Sequence, residues 1–320
     1  MALLDGEGRG PGRRGGDLYR RCLDFDPSYS DDNVCVAVSR KRLLACAQFF
    51  PRQIRLRGVQ VPVALFGNVF THPAARGAGI ARAVLEMACR GAAHRGMALA
   101  LLFHRDPHSR PGPGWSVWEI LRHAAQPQGP PRPRRPQALR PLEPRAALAA
   151  LAALHARTAE ALEGTLVREV GSWPALLAVG LPFGEGREDW LGASGGSGEE
   201  LVAYGRATRV AGVRWVTEWG ASDGEEAEDA LADLIVELVR GQSALLPNLQ
   251  GRPALAARLE ARGLVLEPGL DATPRLRCLA PATLARQLGL EAPQRDLDSS
   301  EWLAGLLPPT RFAYWPSDRL

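Results

Sequence analysis

Residues 67–103 read GNVFTHPAARGAGIARAVLEMACRGAAHRGMALALLF, and their order of residue types decides how the chain folds. Val63 to Phe70 is a mostly apolar run that passes Thr71 and His72 and is halted by Pro73, as a strand end is. In Arg76-Gly77-Ala78-Gly79-Ile80-Ala81 the small residues let backbone N–H groups converge on an anion, and the helix that follows adds its positive N-terminal end. Ile80, Ala83, Val84, Met87 and Ala88 fall at the spacing of one buried helix face. After a break at Gly91 to Gly96, Met97 to Phe103 is long enough for one buried strand. The order is strand, anion-binding turn, helix, strand.

Upstream, Leu43 to Pro51 and Gln53 to Val61 supply a strand-turn-strand approach. With that context the segment resembles motif A of the GNAT superfamily of acyl-CoA-dependent N-acyltransferases, whose Arg/Gln-x-x-Gly-x-Gly/Ala pattern is met by Arg76, Gly79 and Ala81. The resemblance implies that main-chain donors of Arg76, Gly77, Ala78, Gly79, Ile80 and Ala81 hold the pyrophosphate of acetyl-CoA. Those around Val69, Phe70 and Thr71 would hold the pantetheine arm and the thioester oxygen. No metal is implied.

The second half repeats the order. Ala146 to Leu162 reads as a helix, Glu200 to Thr208 with Val213 to Trp219 as a hairpin, and Glu225 to Val239 as a helix with Leu231, Leu234, Ile235 and Leu238 on one face. Leu245 to Leu249 and Leu264 to Glu267 read as strands around a helix from Pro253 to Arg262. Where the first copy has its glycine turn, the second reads GASDGEEAED, whose acidic side chains repel a pyrophosphate. The expected fold is therefore α/β (α+β mixed sheet), two tandem GNAT folds of which the second is degenerate. This resembles the enhanced intracellular survival proteins, a comparison supported by Gly164 to Arg168 with Trp173 and by Arg275 to Gly289. Too few residues follow Gly289 for the sterol-carrier-like domain those proteins commonly add.

The expected boundaries are a loose tail over 1–15, a cofactor-binding domain over 16–123, a Pro/Arg-rich linker over 124–145, a degenerate copy over 146–280 and a docking tail over 281–320. The 320 residues suffice for two ordinary domains, and 46% hydrophobic with 23% charged residues is globular. No apolar run reaches about 18 residues free of charge, and the N-terminus lacks the apolar core of a signal peptide, so a cytoplasmic location is expected. The five cysteines have no Cys-x-x-Cys spacing and read as reduced core residues. Up to Arg145 there are roughly 23 basic and 11 acidic residues, and after it roughly 16 and 24. A basic first half suits coenzyme A; it would also suit nucleic acid, but no recognition helix or stacking motif accompanies it.

Acyl transfer to an amine requires deprotonation. An amine with pKa about 10.4 is neutral in about one molecule in 2,500 at pH 7, equivalent to roughly 4.6 kcal/mol. The family's general-acid tyrosine is missing: the expected position, before Gly114-Trp115, holds Arg110, with His108 and Ser109 the nearest groups. In the resembling proteins the chain's C-terminal carboxylate reaches the active site, which makes Leu320 the candidate base; alternatively Phe312, Tyr314 and Trp315 dock to finish the core. Asp24, Asp26, Asp31 and Asp32 lie where the family binds its acceptor. The expected activity is an acetyl-CoA-dependent N-acetyltransferase acting on a small-molecule or peptide amine by direct attack on the thioester, as a monomer or a homo-oligomer. The alternatives are a coenzyme A-binding protein with little or no transferase activity and an arginine-rich polyanion binder.

Overall fold

In a computed structural model the described residues are 15–104, 112–129, 133–134, 138–181, 185–195, 200–239, 241–250, 252–291, 299–307 and 311–318, with side chains from residue 20 onward. In chain order the first part runs α1 (Gly15–Phe25), β1 (Val34–Ser39), β2 (Arg42–Leu56), β3 (Val59–Thr71), α2 (Ile80–His94), β4 (Leu99–Phe103) and β5 (Ser116–Val117). There follow β6 (Ile120–Pro127), β7 (Leu139–Pro141), α3 (Leu148–Glu160), α4 (Trp173–Val179), β8 (Glu185–Ser194), β9 (Leu201–Val210) and β10 (Val213–Ala221). The last part is α5 (Glu225–Val239), β11 (Ala244–Pro247), α6 (Pro253–Glu260), β12 (Leu264–Asp271), β13 (Pro274–Cys278), α7 (Pro281–Gln287) and α8 (Ser299–Leu306).

Two sheets result, ordered β1-β2-β3-β4-β13-β5 and β12-β6-β11-β10-β9-β8-β7. Each contains one parallel pair, β3 with β4 and β10 with β11, the geometry that a crossover helix such as α2 or α5 produces. The α2 face differs from the expected one. Val84, Ala88, Cys89 and Ala92 are buried, whereas Met87 is 61% exposed. The contact with β2 falls on the i, i+4, i+8 row, which rotates Met87 into solvent.

The expected partition at 123/124 and 280/281 does not describe how the strands are shared. Strand β6 crosses the first boundary and lies inside the second sheet between β11 and β12. Strand β13, from within 146–280, lies inside the first sheet between β4 and β5. One antiparallel ribbon, β5–β6 against β12–β13, thus runs through both sheets, from Ser116↔Leu276 to Pro127↔Leu264. Arg122 and Asp271 form a buried ion pair of 2.7 Å on it. The Pro/Arg-rich stretch is correspondingly shorter than a 124–145 linker, because its first residues are sheet and Ala125 is fully buried.

The halves are also joined at the edge of β2 that β1 leaves free. Gly164 donates to the Arg55 carbonyl at 2.7 Å, Arg55 to that of Thr165 at 3.0 Å, and Val167 to that of Gln53 at 2.8 Å. The C-terminal aromatics run between the halves: Phe312, Ala313, Tyr314 and Trp315 are all fully buried. Ring contacts join Phe312 to Trp118, Tyr314 to Phe103 and Trp315 to Trp219. Of the two readings of this segment, docking to finish the core is the one observed for these residues; Leu320 lies outside the described residues.

Gly164 is where the tail approaches closest. Its φ is +86°, and a Cβ there would stand 2.3 Å from the Phe312 ring. Left-handed backbone costs an L-residue about 1–2 kcal/mol, and forcing a methyl into a packed core adds about 1–3 kcal/mol. Gly164→Ala is therefore expected to destabilise the protein by about 2–4 kcal/mol, read as a lowered midpoint in thermal unfolding; an unchanged midpoint would mean the tail is not held here.

Candidate active site

The β2–β3 register fixes the geometry at the end of β3. Gln48 faces Gly67 and Cys46 faces Phe70, so Asn68 and Val69 stand opposite Ala47 alone and β3 carries a bulge. Asn68 takes up the extra residue with φ +51°, a conformation asparagine tolerates better than most residues. Its amide donates to Gln48 Oε1 at 3.0 Å, with both side chains buried, and Gln48 Nε2 has no partner. The parallel ladder to β4 runs from Val63↔Leu99 to Phe66↔Leu102 and ends. Beyond it the strands part, and the Val69 side chain is 41% exposed.

Past this divergence His72 caps a 3-10 turn by accepting from the Ala74 N–H at 3.2 Å, a structural role. Gly77 and Gly79 have φ +81° and +75°, and a Cβ on either would meet nothing within 4 Å. The turn from Arg76 to Gly79 is exposed, and Gly79 is the N-cap of α2 with no side-chain cap. The first N–H groups of a 15-residue helix thus face open space, the arrangement that receives a phosphate. The cofactor candidates Val69, Phe70, Thr71 and Arg76 to Ala81 form one continuous path from bulge to helix. His108 and Ser109 lie outside the described residues. Glu86 accepts from Arg277 at 2.6 Å, which ties α2 to β13.

The second copy departs from this pattern in the way its acidic turn announced. Its ladder is confined to Arg214↔Ala244 and Trp215↔Leu245, and β10 also carries a bulge, before Glu218. Helix α5 opens with Glu225, Glu226 and Glu228 in its first turn. The tail packs against the parted strands: Trp315 meets Trp219 edge-on at 5.0 Å, and Tyr314 donates its N–H to Asn248 Oδ1 at 3.2 Å.

Beside it lies a buried polar cluster that sequence reading did not assemble. Arg168 donates to Asp318 Oδ1 through Nε at 2.8 Å and Nη2 at 2.5 Å, and to Glu218 Oε1 through Nη1 at 2.9 Å. Tyr204 and Ser317 each donate a hydroxyl to Glu218 at 2.6 Å. Burial works to raise Glu218, but the Arg168, His155 and Arg206 charges outweigh it and hold it at about 2. Burial pushes Asp318 up to about 6 despite Arg168. Burial and Arg168 push His155 down to about 3, so its imidazole is neutral.

Arg168 and Asp318 also line a cavity of about 300 Å³ between the halves, with Asp26, Ser28, Arg52, Leu166, Leu176 and Val179. Of the four aspartates proposed for an acceptor, only Asp26 reaches it. Asp26 is buried and paired with Arg52 at 2.5 Å, while Asp24, Asp31 and Asp32 are exposed. Asp318 could not be paired with Arg168 from spacing, since 150 residues separate them. Among the described residues no group of three His, Cys, Asp or Glu side chains is placed to hold a metal ion, and no helix is long and apolar enough to cross a membrane.

Residues 15–117 match the acetyltransferase (GNAT) domain family. No curated protein matches the chain. Among solved structures, a "probable N-acyltransferase" from Enterococcus faecalis V583 is 15% identical with a TM-score of 0.64, over 87% of this chain and 68% of that one. A GCN5-related N-acetyltransferase from Kribbella flavida is 16% identical with a TM-score of 0.60, over 84% of this chain and 65% of its own. Eis1 from Mycobacterium abscessus is 17% identical with a TM-score of 0.53, over 82% and 72%. The fold is shared with N-acyltransferases, and this chain spans about two thirds of the length of the first two structures.

Proposed function

We propose that this chain, which carries a GNAT acetyltransferase domain over residues 15–117, is an acetyl-CoA-dependent N-acyltransferase acting on an amine. The observation that carries the reading is the uncapped, exposed start of α2, reached through Gly77 and Gly79 from a bulged strand that has parted from its parallel neighbour. The pyrophosphate lies on the N–H groups of Gly77 to Ala81, and the pantetheine arm runs along Val69 to Thr71. The first half holds the cofactor and the second half closes the acceptor side.

In the reaction the neutral amine attacks the thioester carbon. The N–C bond forms, the C–S bond breaks, coenzyme A leaves as thiolate, and the amine proton passes to a base or to water. Main-chain N–H groups at the bulge stabilise the oxyanion. The candidate base is a carboxylate of the tail, the C-terminus at Leu320. A leaving thiol of pKa about 8.5 needs little protonation at neutral pH, so the reaction tolerates the absence of the family's tyrosine.

The test incubates the purified protein with acetyl-CoA and a panel of primary amines and identifies acetylated amine by mass spectrometry; a thiol reagent is a poor readout, because the chain's own cysteines are unpaired. Appearance of an acetylated amine is the expected result. One-site acetyl-CoA binding in calorimetry with no acetylated product from any amine would replace the reading with that of a coenzyme A-binding protein without transfer.

A further inference from the structure

The cavity between the halves is bordered by an incomplete balance of buried charge. Two guanidiniums, Arg52 and Arg168, face three carboxylates, Asp26, Glu218 and Asp318. Asp26 is matched by Arg52 and also accepts from the Ser28 N–H and hydroxyl at 2.9 Å and 2.7 Å. Glu218 is fully buried and saturated by Arg168, Tyr204 and Ser317. His155 stands 3.7 Å from it, as a neutral ring. Asp318 is 3% exposed, and only its Oδ1 is bound, by the Arg168 that Glu218 shares; Oδ2 has no partner. One negative charge is left over, at the cavity wall. Leaving a buried charge uncompensated is costly, and a cation entering the cavity would relieve that cost. The rest of the wall, including Leu166, Ala175, Leu176 and Val179, is apolar.

We infer that this cavity binds a primary amine with a single positive charge and an apolar body, its ammonium on Asp318 Oδ2 and its body against Leu166, Leu176 and Val179. This rests on the reading of the chain as an N-acyltransferase in naming that amine as the acceptor class, and it disfavours polyamines and aminoglycosides, whose further charges would meet Arg52 and Arg168. With burial holding Asp318 at about 6, the group is ionised at pH 7.5 and can accept the ammonium.

The experiment is a calorimetric titration of the whole chain, without acetyl-CoA, with 2-phenylethylamine, its neutral analogue 2-phenylethanol, and spermidine. One-site binding of the amine is expected, with the alcohol and spermidine each at least about 10-fold weaker, equivalent to about 1.4 kcal/mol. Asp318→Asn should remove the preference for amine over alcohol. Ala175→Trp, which fills the apolar side and leaves the charges in place, should weaken both. If Asp318→Asn does not fold, as its thermal transition will tell, Ala175→Trp and the ligand series still decide. Equal binding of amine and alcohol, tighter binding of spermidine, or no binding of the amine would each overturn the inference. Binding of the amine without its acetylation would leave the site standing and remove the transferase reading; acetylation of polyamines with no binding of 2-phenylethylamine would do the reverse.

Discussion

Gly79→Glu is expected to weaken acetyl-CoA binding by at least about 100-fold in calorimetry, equivalent to about 2.7 kcal/mol. Two effects act together. The residue sits at φ +75°, so any side chain strains the turn by about 1–2 kcal/mol. Its carboxylate also stands at the helix N-terminus in competition with the pyrophosphate, where the N–H groups and the helix dipole would otherwise favour the ligand. Gly96 separates these effects. It has φ +81°, a Cβ there would also meet nothing within 4 Å, and it follows the opposite end of α2. Gly96→Glu imposes the same backbone strain away from the anion site and should leave the affinity within about threefold of the parent. Equal affinities in the two variants would mean that the turn does not hold the cofactor.

The anion turn was legible because its signal is local. Gly77, Gly79 and the helix start lie within a few residues, and the backbone states that require glycine are those the sequence supplies. The bulge was not legible, since Asn68 looks like any strand residue until the register with β2 is known. Alternation reports which face of a strand is buried and says nothing about which strand lies beside it, so the exchange of β6 and β13 between sheets left no trace. Composition misplaced β6: Ile120 and Ala125 are core, but the prolines and arginines that follow draw the whole stretch into a linker. The acidic start of α5 correctly set the second copy apart. The cavity required four distant segments, around Asp26, Arg52, Arg168 and Asp318, and only the first had been marked as facing an acceptor.

Arg168→Met tests the joint between the halves and is expected to destabilise the protein by about 3–5 kcal/mol, the range for removing one partner of a buried ion pair. Arg168 is the shared cation of Glu218 and Asp318, whose side chains are both fully buried, and it lies over the Trp173 ring at 5.0 Å. Methionine keeps the length and much of the apolar contact, so the loss is mainly that of charge. The pH dependence distinguishes this from a packing defect. Glu218, held at about 2 and thus below its ordinary value, contributes stability that is present above pH 4.5 and is lost as pH falls toward 2. Asp318, raised to about 6, runs the other way: its contribution is full below 3.8 and lost as pH rises through 6. Without Arg168 both carboxylates have their affinity for protons increased, so the variant recovers by binding them as the medium is acidified. The gap in thermal midpoint between parent and variant should therefore be widest near pH 7 and narrow toward pH 4, and Glu218→Gln in the Arg168→Met background should restore part of the midpoint at pH 7. A gap that is constant with pH, and no rescue, would show that Arg168 acts through packing against Trp173 and that the two carboxylates do not depend on it.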